Sequence, residues 1–289
     1  MPGRDDEWKK MTIANTSEAQ FEQEYGNSFL GTGNTLINAD TLLGLRAIDP
    51  DWHKDNVNVY ERPKYGHTYI TTVDVSQGRG IDYSTFSIFD VTAKPFKQVC
   101  TFRDNMISPM LFPDLINKYC RPYNESLVII ENNAEGSMVA TQLHYDIEYP
   151  NVFVQGMTKS TDIGITMSRK IKRVGCSTLK ELMEENRLSV VDRPTITEMM
   201  TFVNKGNSFE ADRGYHDDMV MNCVLFSWFV TTDYFTNLTD TAVKDLLYAE
   251  QQKMIEDDML PAGIFGQQDE SESFVDKDGD RWFSKSLLD

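Results

Sequence analysis

The chain has 289 residues, of which 40% are hydrophobic and 25% are charged, a composition typical of a globular protein with a substantial core. Its net charge of −17 argues against a protein that coats nucleic acid with its whole surface. No apolar run approaches the roughly 18 residues that a membrane span needs, and no signal peptide begins the chain, so no membrane association is expected.

The N-terminal region up to residue 61 is polar and mixed. Ser17 to Tyr25 predicts a short helix that Ser17 caps, and Gly31 to Thr35 predicts a loop. This loop does not fit a phosphate loop, because the Gly-x₄-Gly-Lys-Ser/Thr arrangement is missing there and everywhere else in the chain. We therefore expect no ATP hydrolysis.

Three strands are predicted next, over His67–Ser76, Tyr83–Val91 and Phe96–Arg103, because these stretches are rich in β-branched and aromatic residues. The first strand carries Asp74 near its end, where an uncompensated buried carboxylate would be costly. Two interpretations fit: Asp74 is a metal ligand delivered to the rim of a sheet, or it accepts hydrogen bonds from turn amides. The turn that follows contains Gly78 and Gly80 and leads to Asp82.

A second carboxylate ends another predicted strand. After a helix near Met110–Cys120, the apolar run Ser126 to Ile130 shows no alternation, which is typical of a strand buried on both faces. That run ends at Glu131, which turn-forming Asn132 and Asn133 follow. The remaining predicted elements are a helix from Gly136, a strand at Asn151–Gln155, a helix at Thr166–Glu185, a strand at Leu188–Val191, a helix at Thr195–Phe202 and a strand at Ser208–Ala211.

A pair of acids begins the last predicted helix. His216, Asp217 and Asp218 directly precede the apolar segment Met219–Val230, so one of the two acids lies in the first helical turn. Such acids can simply cap the helix and favour its dipole. Capping accounts for one Asp, but it does not account for the strand-end acids Asp74 and Glu131.

Together these acids predict a divalent-metal cluster, since Mg²⁺ prefers oxygen ligands and two ions can promote phosphodiester hydrolysis. The acids converge only if the strands that carry Asp74 and Glu131 are neighbours. Three antiparallel strands followed by alternating helices and strands are typical of an α/β, RNase H-like fold of the RuvC/integrase type. In that fold, which has a mixed central sheet flanked by helices, the first and fourth strands are neighbours.

A basic cluster lies between residues 159 and 180, where only Asp162 opposes its charge. An isolated cluster of this kind favours a solvated helix face, whereas one beside a metal site favours contact with nucleic-acid phosphates. Its candidate DNA-binding residues are Lys159, Arg169, Lys170, Lys172 and Arg173. Beyond Glu250 the chain turns acidic, and Asp276–Asp280 lacks the spacing of a calcium loop, so we expect a solvated turn there.

Three motifs in order resemble one known family. Val73–Tyr83, Ile129–Asn132 and Tyr215–Val220 resemble the nuclease domain of the terminase large subunit of T-even-like tailed bacteriophages. Upstream, Phe21–Tyr25 and Phe29–Ile37 resemble the segment that joins the family's ATPase to its nuclease. The resemblance covers about residues 20 to 260.

The resemblance implies an endonuclease that cuts concatemeric double-stranded phage DNA during genome packaging. It implies two ions of Mg²⁺ or Mn²⁺, held by Asp74, Glu131 and a member of the Asp217–Asp218 pair, and it leaves open which member. Asp82 matches a family acid that holds a metal or its water, and His216 orients a ligand or contacts phosphate. Gly78 and Gly80 permit a tight turn near the site, and Arg79 contacts a phosphate.

The resemblance also implies partners and a place of action. The partners are double-stranded DNA, the portal protein, the small terminase subunit and an ATPase domain normally in the same chain, at the prohead portal in the host cytoplasm. Residues 1–61 are interpreted as a remnant of the connecting segment, 62–258 as the nuclease domain and 259–289 as an acidic tail. Since no ATPase motor precedes residue 20, we expect cutting without translocation. The alternatives are a junction resolvase or RNase H on the same fold and a non-catalytic module that docks on DNA or the portal.

Overall fold

The computed structural model describes residues 34–132, 135–155, 162–206 and 208–240, together with two short paired strands at Phe274–Val275 and Arg281–Trp282. The predicted helix at Ser17–Tyr25, the acidic residues beyond Glu250 and the turn at Asp276–Asp280 lie outside the described residues. Lys159 also lies outside them.

Helices and strands follow the predicted order closely. The helices are α1 (Ala39–Gly44), α2 (Phe112–Cys120), α3 (Gly136–Thr141), a π-helix (Gln142–Asp146), α4 (Arg169–Glu184), α5 (Arg193–Thr201), α6 (Asp218–Val230) and a helical stretch at 233–240. The strands are β1 (Trp52–Lys54), β2 (Val57–Val59), β3 (Tyr69–Asp74), β4 (Ser84–Asp90), β5 (Phe96–Asp104), β6 (Leu127–Ile130), β7 (Val154–Gln155), β8 (Asp162–Ile163), β9 (Leu188–Ser189), β10 (Phe202–Asn204) and β11 (Phe209–Ala211).

The central sheet has the order β1-β2-β5-β4-β3-β6, with β9 paired to β5. Strands β3, β4 and β5 are antiparallel neighbours, whereas β6 lies parallel to β3 with Val73 opposite Ile130. The predicted mixed sheet and the adjacency of its first and fourth predicted strands are therefore confirmed.

Strand β2 was not predicted from the sequence, because its three residues are too short to show a periodic pattern. It pairs antiparallel with β5, and both Val57 and Val59 are buried. The backbone N–H of Leu36 also donates to the carbonyl of Phe202 at 3.1 Å. Residues before position 62 thus contribute to the sheet and to the core, while the division of the chain into domains stays a prediction.

Helices cover both faces of the sheet, and each face has its own apolar core. On one face α4, α5 and α6 pack over a cluster that includes Ile70 and Ile129. On the other face α2 and α3 pack over a cluster that includes Val73 and Ile130. All four cysteines are buried and free. No helix in the described part of the chain is long and apolar enough to cross a membrane.

Candidate metal centre

Strand geometry places two of the predicted acids side by side. Successive residues of a strand point to opposite faces, so Asp74 faces the same way as Thr72 and Ile70, which is toward α6. Glu131 follows Ile130, the register partner of Val73, and its backbone N–H donates to the Val73 carbonyl at 2.9 Å. By the same alternation Glu131 shares the α6 face with Ile129.

Asp74 lies in an electrostatically unfavourable environment. Burial raises the pKa of its carboxyl well above the usual range, and the nearby charges of Glu131, Asp218 and Asp217 raise the pKa further. One hydrogen bond from the backbone of Val75 opposes these effects. Partly buried carboxylates repel one another, and a bound cation would neutralise that repulsion.

The acid pair at the start of α6 has two different environments. Asp217 is the N-cap residue, but its side chain makes no capping hydrogen bond, and Oδ2 instead accepts from the backbone N–H of Ala211 at 3.2 Å. Burial raises the pKa of Asp218 to about 6, whereas a hydrogen bond from the backbone of Tyr83 lowers it. The capping interpretation of this pair is therefore wrong for the Asp217 side chain.

Buried polar contacts hold α6 against β3, which carries Asp74, and against β4, which carries Thr85. Thr85 lies directly opposite Asp74 in the β3–β4 register, and its hydroxyl donates to the Asp218 carbonyl at 3.3 Å. The Asn222 amide donates to the Thr85 hydroxyl at 2.7 Å, and the Thr72 hydroxyl donates to the Asn222 carbonyl at 3.1 Å. These contacts hold Asp218 over the end of β3.

The turn after Asp74 packs tightly on the loop that follows β5. Gly78 has φ +66, and a Cβ there would overlap the Ile107 carbonyl, so glycine is required on both grounds. The N–H of Gly80, which has φ +78, donates to the Asn105 carbonyl at 2.9 Å. Arg79 and Asp82 are exposed, and the charge of Asp82 raises the pKa of Asp218. The structure thus brings Asp82 near the acid cluster.

A second glycine sets the position of Glu131. A Cβ at Gly136 would overlap the carbonyl of Glu131, because α3 begins directly against that backbone. This close approach places the start of α3 directly against the end of β6. It also explains why a glycine opens α3, where it would otherwise lower helix stability.

Aromatic and charged side chains contact one another in a cluster beside the acids. His216 Nδ1 is 3.6 Å from Asp218 Oδ2, and the His216 ring meets the ring of Tyr83 edge-on with centroids 5.0 Å apart. The guanidinium carbon of Arg103 lies 3.4 Å from the Tyr83 ring centroid, and Nη2 is 3.3 Å from Glu198 Oε1. Burial raises the pKa of Glu198 to about 7, although the charge of Arg103 opposes that rise. Arg103, Arg193, Glu198 and His216 also line a cavity of about 320 Å³.

The residues present fit a divalent cation in their chemistry. Asp218 Oδ2 is buried and has no hydrogen-bond partner, and Asp74 lies near three other acids and accepts one hydrogen bond, from the backbone of Val75. Hard cations bind such carboxylate oxygens. Within the described ranges, no three Asp, Glu, His or Cys side chains form a ready-made ligand set. The acids are thus close enough for their charges to interact, but their oxygens are not arranged as a complete coordination shell.

The described members of the basic cluster lie at the start of α4. Arg169, Lys170 and Arg173 are exposed, whereas Lys172 is half-buried with its ammonium 5.8 Å from the ring centroid of Phe202. The chain reaches this helix start from the acid site, since the Thr166 hydroxyl donates to Asn132 Oδ1 at 2.8 Å, next to Glu131. The basic helix start therefore follows the site by only a few residues.

Sequence reasoning missed the residues that position the acids. Thr85 could have been found by pairing the predicted hairpin, because it faces Asp74 directly. Glu198 and Arg103 belong to no local motif, and only the packing of α5 and β5 beside α6 brings them to the site.

Comparison with known proteins supports the same fold. The family model of the terminase RNase H-like domain matches residues 71–231. The large terminase nuclease from thermophilic phage G20c with bound cobalt is 21% identical, with a TM-score of 0.55 over 67% of this chain and 96% of that chain. The same nuclease with bound magnesium gives 20% identity, a TM-score of 0.54 and coverage of 67% and 96%. The large terminase nuclease domain of Thermus phage P74-26 is 22% identical, with a TM-score of 0.52 over 66% of this chain and 93% of that chain.

Proposed function

The chain belongs to the family of terminase RNase H-like domains, and on that premise we propose that it is a metal-dependent endonuclease that cuts concatemeric double-stranded phage DNA during genome packaging. The observation that carries the proposal is the juxtaposition of Asp74 and Glu131 at the ends of two parallel neighbouring strands, facing the acid pair at the start of α6. A purely structural role for Asp74 would call for several donors around it, whereas one backbone hydrogen bond from Val75 is opposed by burial and by the charges of three acids.

In this proposal the acids hold the ions. Asp74, Glu131 and Asp218 supply the first oxygen ligands, and Asp217 contributes from the N-cap position. Asp218 ranks before Asp217 because its charge acts more strongly on Asp74 and because its Oδ2 lacks a hydrogen-bond partner. When bound, two ions supply activation of a water and stabilisation of the leaving 3′ oxygen. Asp82 lies at the edge of this set and would hold a water or an ion through its exposed carboxylate.

Mg²⁺ or Mn²⁺ is the proposed cofactor. Oxygen-only ligand sets favour these hard ions over metals that prefer sulfur or nitrogen. The nuclease of phage G20c was solved with bound cobalt and with bound magnesium, which supports divalent-ion binding at this fold. The occupancy of two ions by this chain is part of the proposal.

DNA is proposed to approach over the exposed turn after β3 and the start of α4. Arg79 projects from the turn that Gly78 and Gly80 allow, and the basic helix start follows Asn132 closely. His216 would orient Asp218 or contact a phosphate. The proposed phosphate contacts are Arg79, Lys159, Arg169, Lys170, Lys172 and Arg173.

The biological setting is proposed by analogy with the family. The chain would act at the prohead portal in the host cytoplasm, with the portal protein, the small terminase subunit and an ATPase domain as partners. The T-even-like lineage, the connecting role of residues 1–61, the nuclease limits 62–258 and the tail 259–289 stay predictions of the same proposal.

The decisive experiment is conversion of supercoiled plasmid to linear and smaller products with Mg²⁺, Mn²⁺ or EDTA. The wild-type chain is compared with Asp74→Ala at matched purity and at a temperature where both chains are folded. Metal-dependent cutting that the variant loses would support the proposal. Equal cutting by the variant would overturn it.

Two other functions are tested by adding binding measurements and further substrates to this assay. A chain that binds DNA or portal protein without cutting would be a docking module. A chain that cuts four-way junctions or RNA–DNA hybrids much faster than linear duplex would be a resolvase or an RNase H.

A further inference from the structure

The first turn of α6 is capped by a residue from another helix. Glu198 of α5 is only 5% exposed, and its Oε2 accepts from the backbone N–H of Met219 at 2.7 Å and of Val220 at 3.2 Å. The first N–H groups of a helix have no partner within it, and an N-cap side chain ordinarily accepts from them. Asp217 occupies the N-cap position without doing so.

Capping by Glu198 leaves both acids of the pair available for another purpose. The Asp217 carboxylate turns instead to the N–H of Ala211, and Asp218 Oδ2 keeps no hydrogen-bond partner. If Asp217 capped the helix itself, its carboxylate would point along the helix axis at the amides. The cap from α5 therefore separates the task of starting the helix from the task of presenting its acids.

The other carboxylate oxygen of Glu198 forms an ion pair, although it accepts no hydrogen bond. Arg103 Nη2 lies 3.3 Å from Oε1, and the guanidinium stacks on the ring of Tyr83. The ring of Tyr83 in turn meets the ring of His216 edge-on, and His216 Nδ1 lies 3.6 Å from Asp218 Oδ2. The start of α6 is thus connected to β5 and to the segment after Asp82 through one buried carboxylate.

We propose that Glu198 is a positioning residue of the metal centre, which fixes the first turn of α6 so that Asp217 and Asp218 face Asp74 and Glu131. Glu198 acts through the Met219 and Val220 amides rather than as an ion ligand. Its Oε2 accepts from both amides, and its Oε1, which accepts no hydrogen bond, lies 3.3 Å from the positive charge of Arg103, which disfavours a cation there. The inference rests on the proposed nuclease function for its effect on metal binding, but not for its effect on the helix.

The test uses three variants of the full chain. Glu198→Ala removes the cap and the ion pair, and Glu198→Gln keeps an acceptor oxygen for the amides while removing the charge. Asp192→Asn is the matched control, because Asp192 is a buried acid that caps α5 through Thr195 and makes no contact with the α6 amides. Amide exchange at Met219 and Val220 is measured by NMR in EDTA, and Mn²⁺ affinity is measured by calorimetry.

We expect faster exchange at both amides in Glu198→Ala and a loss of roughly 10- to 100-fold in Mn²⁺ affinity, the range seen when groups that orient metal ligands are removed. Glu198→Gln should restore most of the exchange protection and part of the affinity. Plasmid cleavage by Glu198→Ala should recover at high Mn²⁺ concentration. Asp192→Asn should lower the melting temperature while it keeps wild-type Mn²⁺ affinity.

Two results would overturn the inference. Unchanged exchange at Met219 and Val220 in Glu198→Ala would show that Glu198 does not hold the helix start, whether or not the wild-type chain binds Mn²⁺. Wild-type Mn²⁺ affinity in a folded Glu198→Ala chain would show that the cap does not matter to the site. Failure of the wild-type chain to bind Mn²⁺ would instead overturn the proposed function, and the exchange comparison would still decide the helix cap.

Discussion

Two acids of this chain, Asp192 and Asp74, show opposite ways of placing a carboxylate within a fold. Asp192 is fully buried, and its Oδ1 accepts from the hydroxyls of Tyr60 and Thr101 at 2.7 and 3.0 Å. Its Oδ2 accepts from both the N–H and the hydroxyl of Thr195. Burial and the charge of Asp192 raise the pKa of Tyr60, so that hydroxyl remains a donor. Asp74, in contrast, accepts one backbone hydrogen bond from Val75 and lies near three other acids.

The comparison separates structural acids from functional ones. A buried carboxylate surrounded by donors is satisfied without an ion, and removing its charge leaves those donors without a partner. A carboxylate surrounded by other carboxylates destabilises the fold until something neutralises it. Both acids end or cap regular elements, so position alone does not distinguish them. The groups around them do.

The largest effect should come from removing the segment that completes the Asp192 network. A chain that starts at residue 62 loses the hydrogen bond from the Tyr60 hydroxyl to Asp192 and the two buried valines of β2. Burial of each valine side chain contributes roughly 1.5–3 kcal/mol to stability. Because domains have only about 5–15 kcal/mol of stability, we expect this truncated chain not to fold, and that result would move the proposed nuclease boundary from residue 62 to a position before β2. Circular dichroism and thermal melting would measure the loss.

The matched control is a chain that starts at Asn34, which keeps β2 and the buried residues Leu36 and Ile37. It should melt cooperatively near the temperature of the full chain. A cooperative transition at that same temperature in the chain starting at residue 62 would contradict the assignment of β2 to the folding unit.

The next effect contrasts the two acids directly through isosteric changes. Asp74→Asn should abolish metal-dependent cleavage, yet it should stabilise the metal-free fold by on the order of 0.5–2 kcal/mol, because it removes repulsion from Glu131 and Asp218. Asp192→Asn should keep cleavage at low temperature, but its free energy of unfolding should fall by about 1–3 kcal/mol. The new amide N–H₂ would face the hydroxyl and amide donors that the Asp192 carboxylate accepts from. Urea unfolding in EDTA and plasmid cleavage measure the two properties.

The essential result is that Asp74→Asn raises the free energy of unfolding in EDTA while Asp192→Asn lowers it. Destabilisation by both variants would show that Asp74 is satisfied like Asp192, and the argument for a cation at the site would lose its electrostatic basis. Glu131→Gln is a second variant on the functional side, and it should follow Asp74→Asn in both measurements.

Local pattern was sufficient to predict most of the fold and the acids themselves. The strand periods and the apolar run before Glu131 predicted the central strands, and their order predicted the β3–β6 adjacency that the structure confirms. The roles of the acids remain predictions, since neighbouring strands do not establish chemistry. Strand β2 and the cap from Glu198 were not predictable, because one is three residues long and the other depends on how α5 packs against α6.

A smaller effect is expected where the backbone of Glu131 is approached by α3. Gly136→Ala places a methyl group against the Glu131 carbonyl, so α3 must shift, at a cost of about 1–3 kcal/mol. Cleavage should fall only in part, because Asp74 and Asp218 keep their positions. Urea unfolding and the Mn²⁺ concentration for half-maximal cleavage would measure the two losses.

Gly44→Ala is the control for that change, since Gly44 also lies in a helix and a Cβ there would meet nothing within 4 Å. It should be neutral or stabilising by about 0.5–1 kcal/mol, because alanine is the better helix former. Equal destabilisation by both glycine variants would contradict the close approach at Gly136.

The smallest effect should come from the basic start of α4, where exposed charges contribute to binding rather than to folding. Alanine at the three exposed residues Arg169, Lys170 and Arg173 should leave the melting temperature nearly unchanged and lower duplex affinity. The slope of log affinity against log salt concentration should fall in magnitude by about 1 for each lost phosphate contact. Fluorescence anisotropy over a salt series would measure the slope. Lys180→Ala is the matched control, because Lys180 lies on the same helix near Glu184 at 3.9 Å. If the triple variant keeps the wild-type slope, the substituted residues belong to a solvated helix face, and Arg79→Ala becomes the next variant to test for DNA contact.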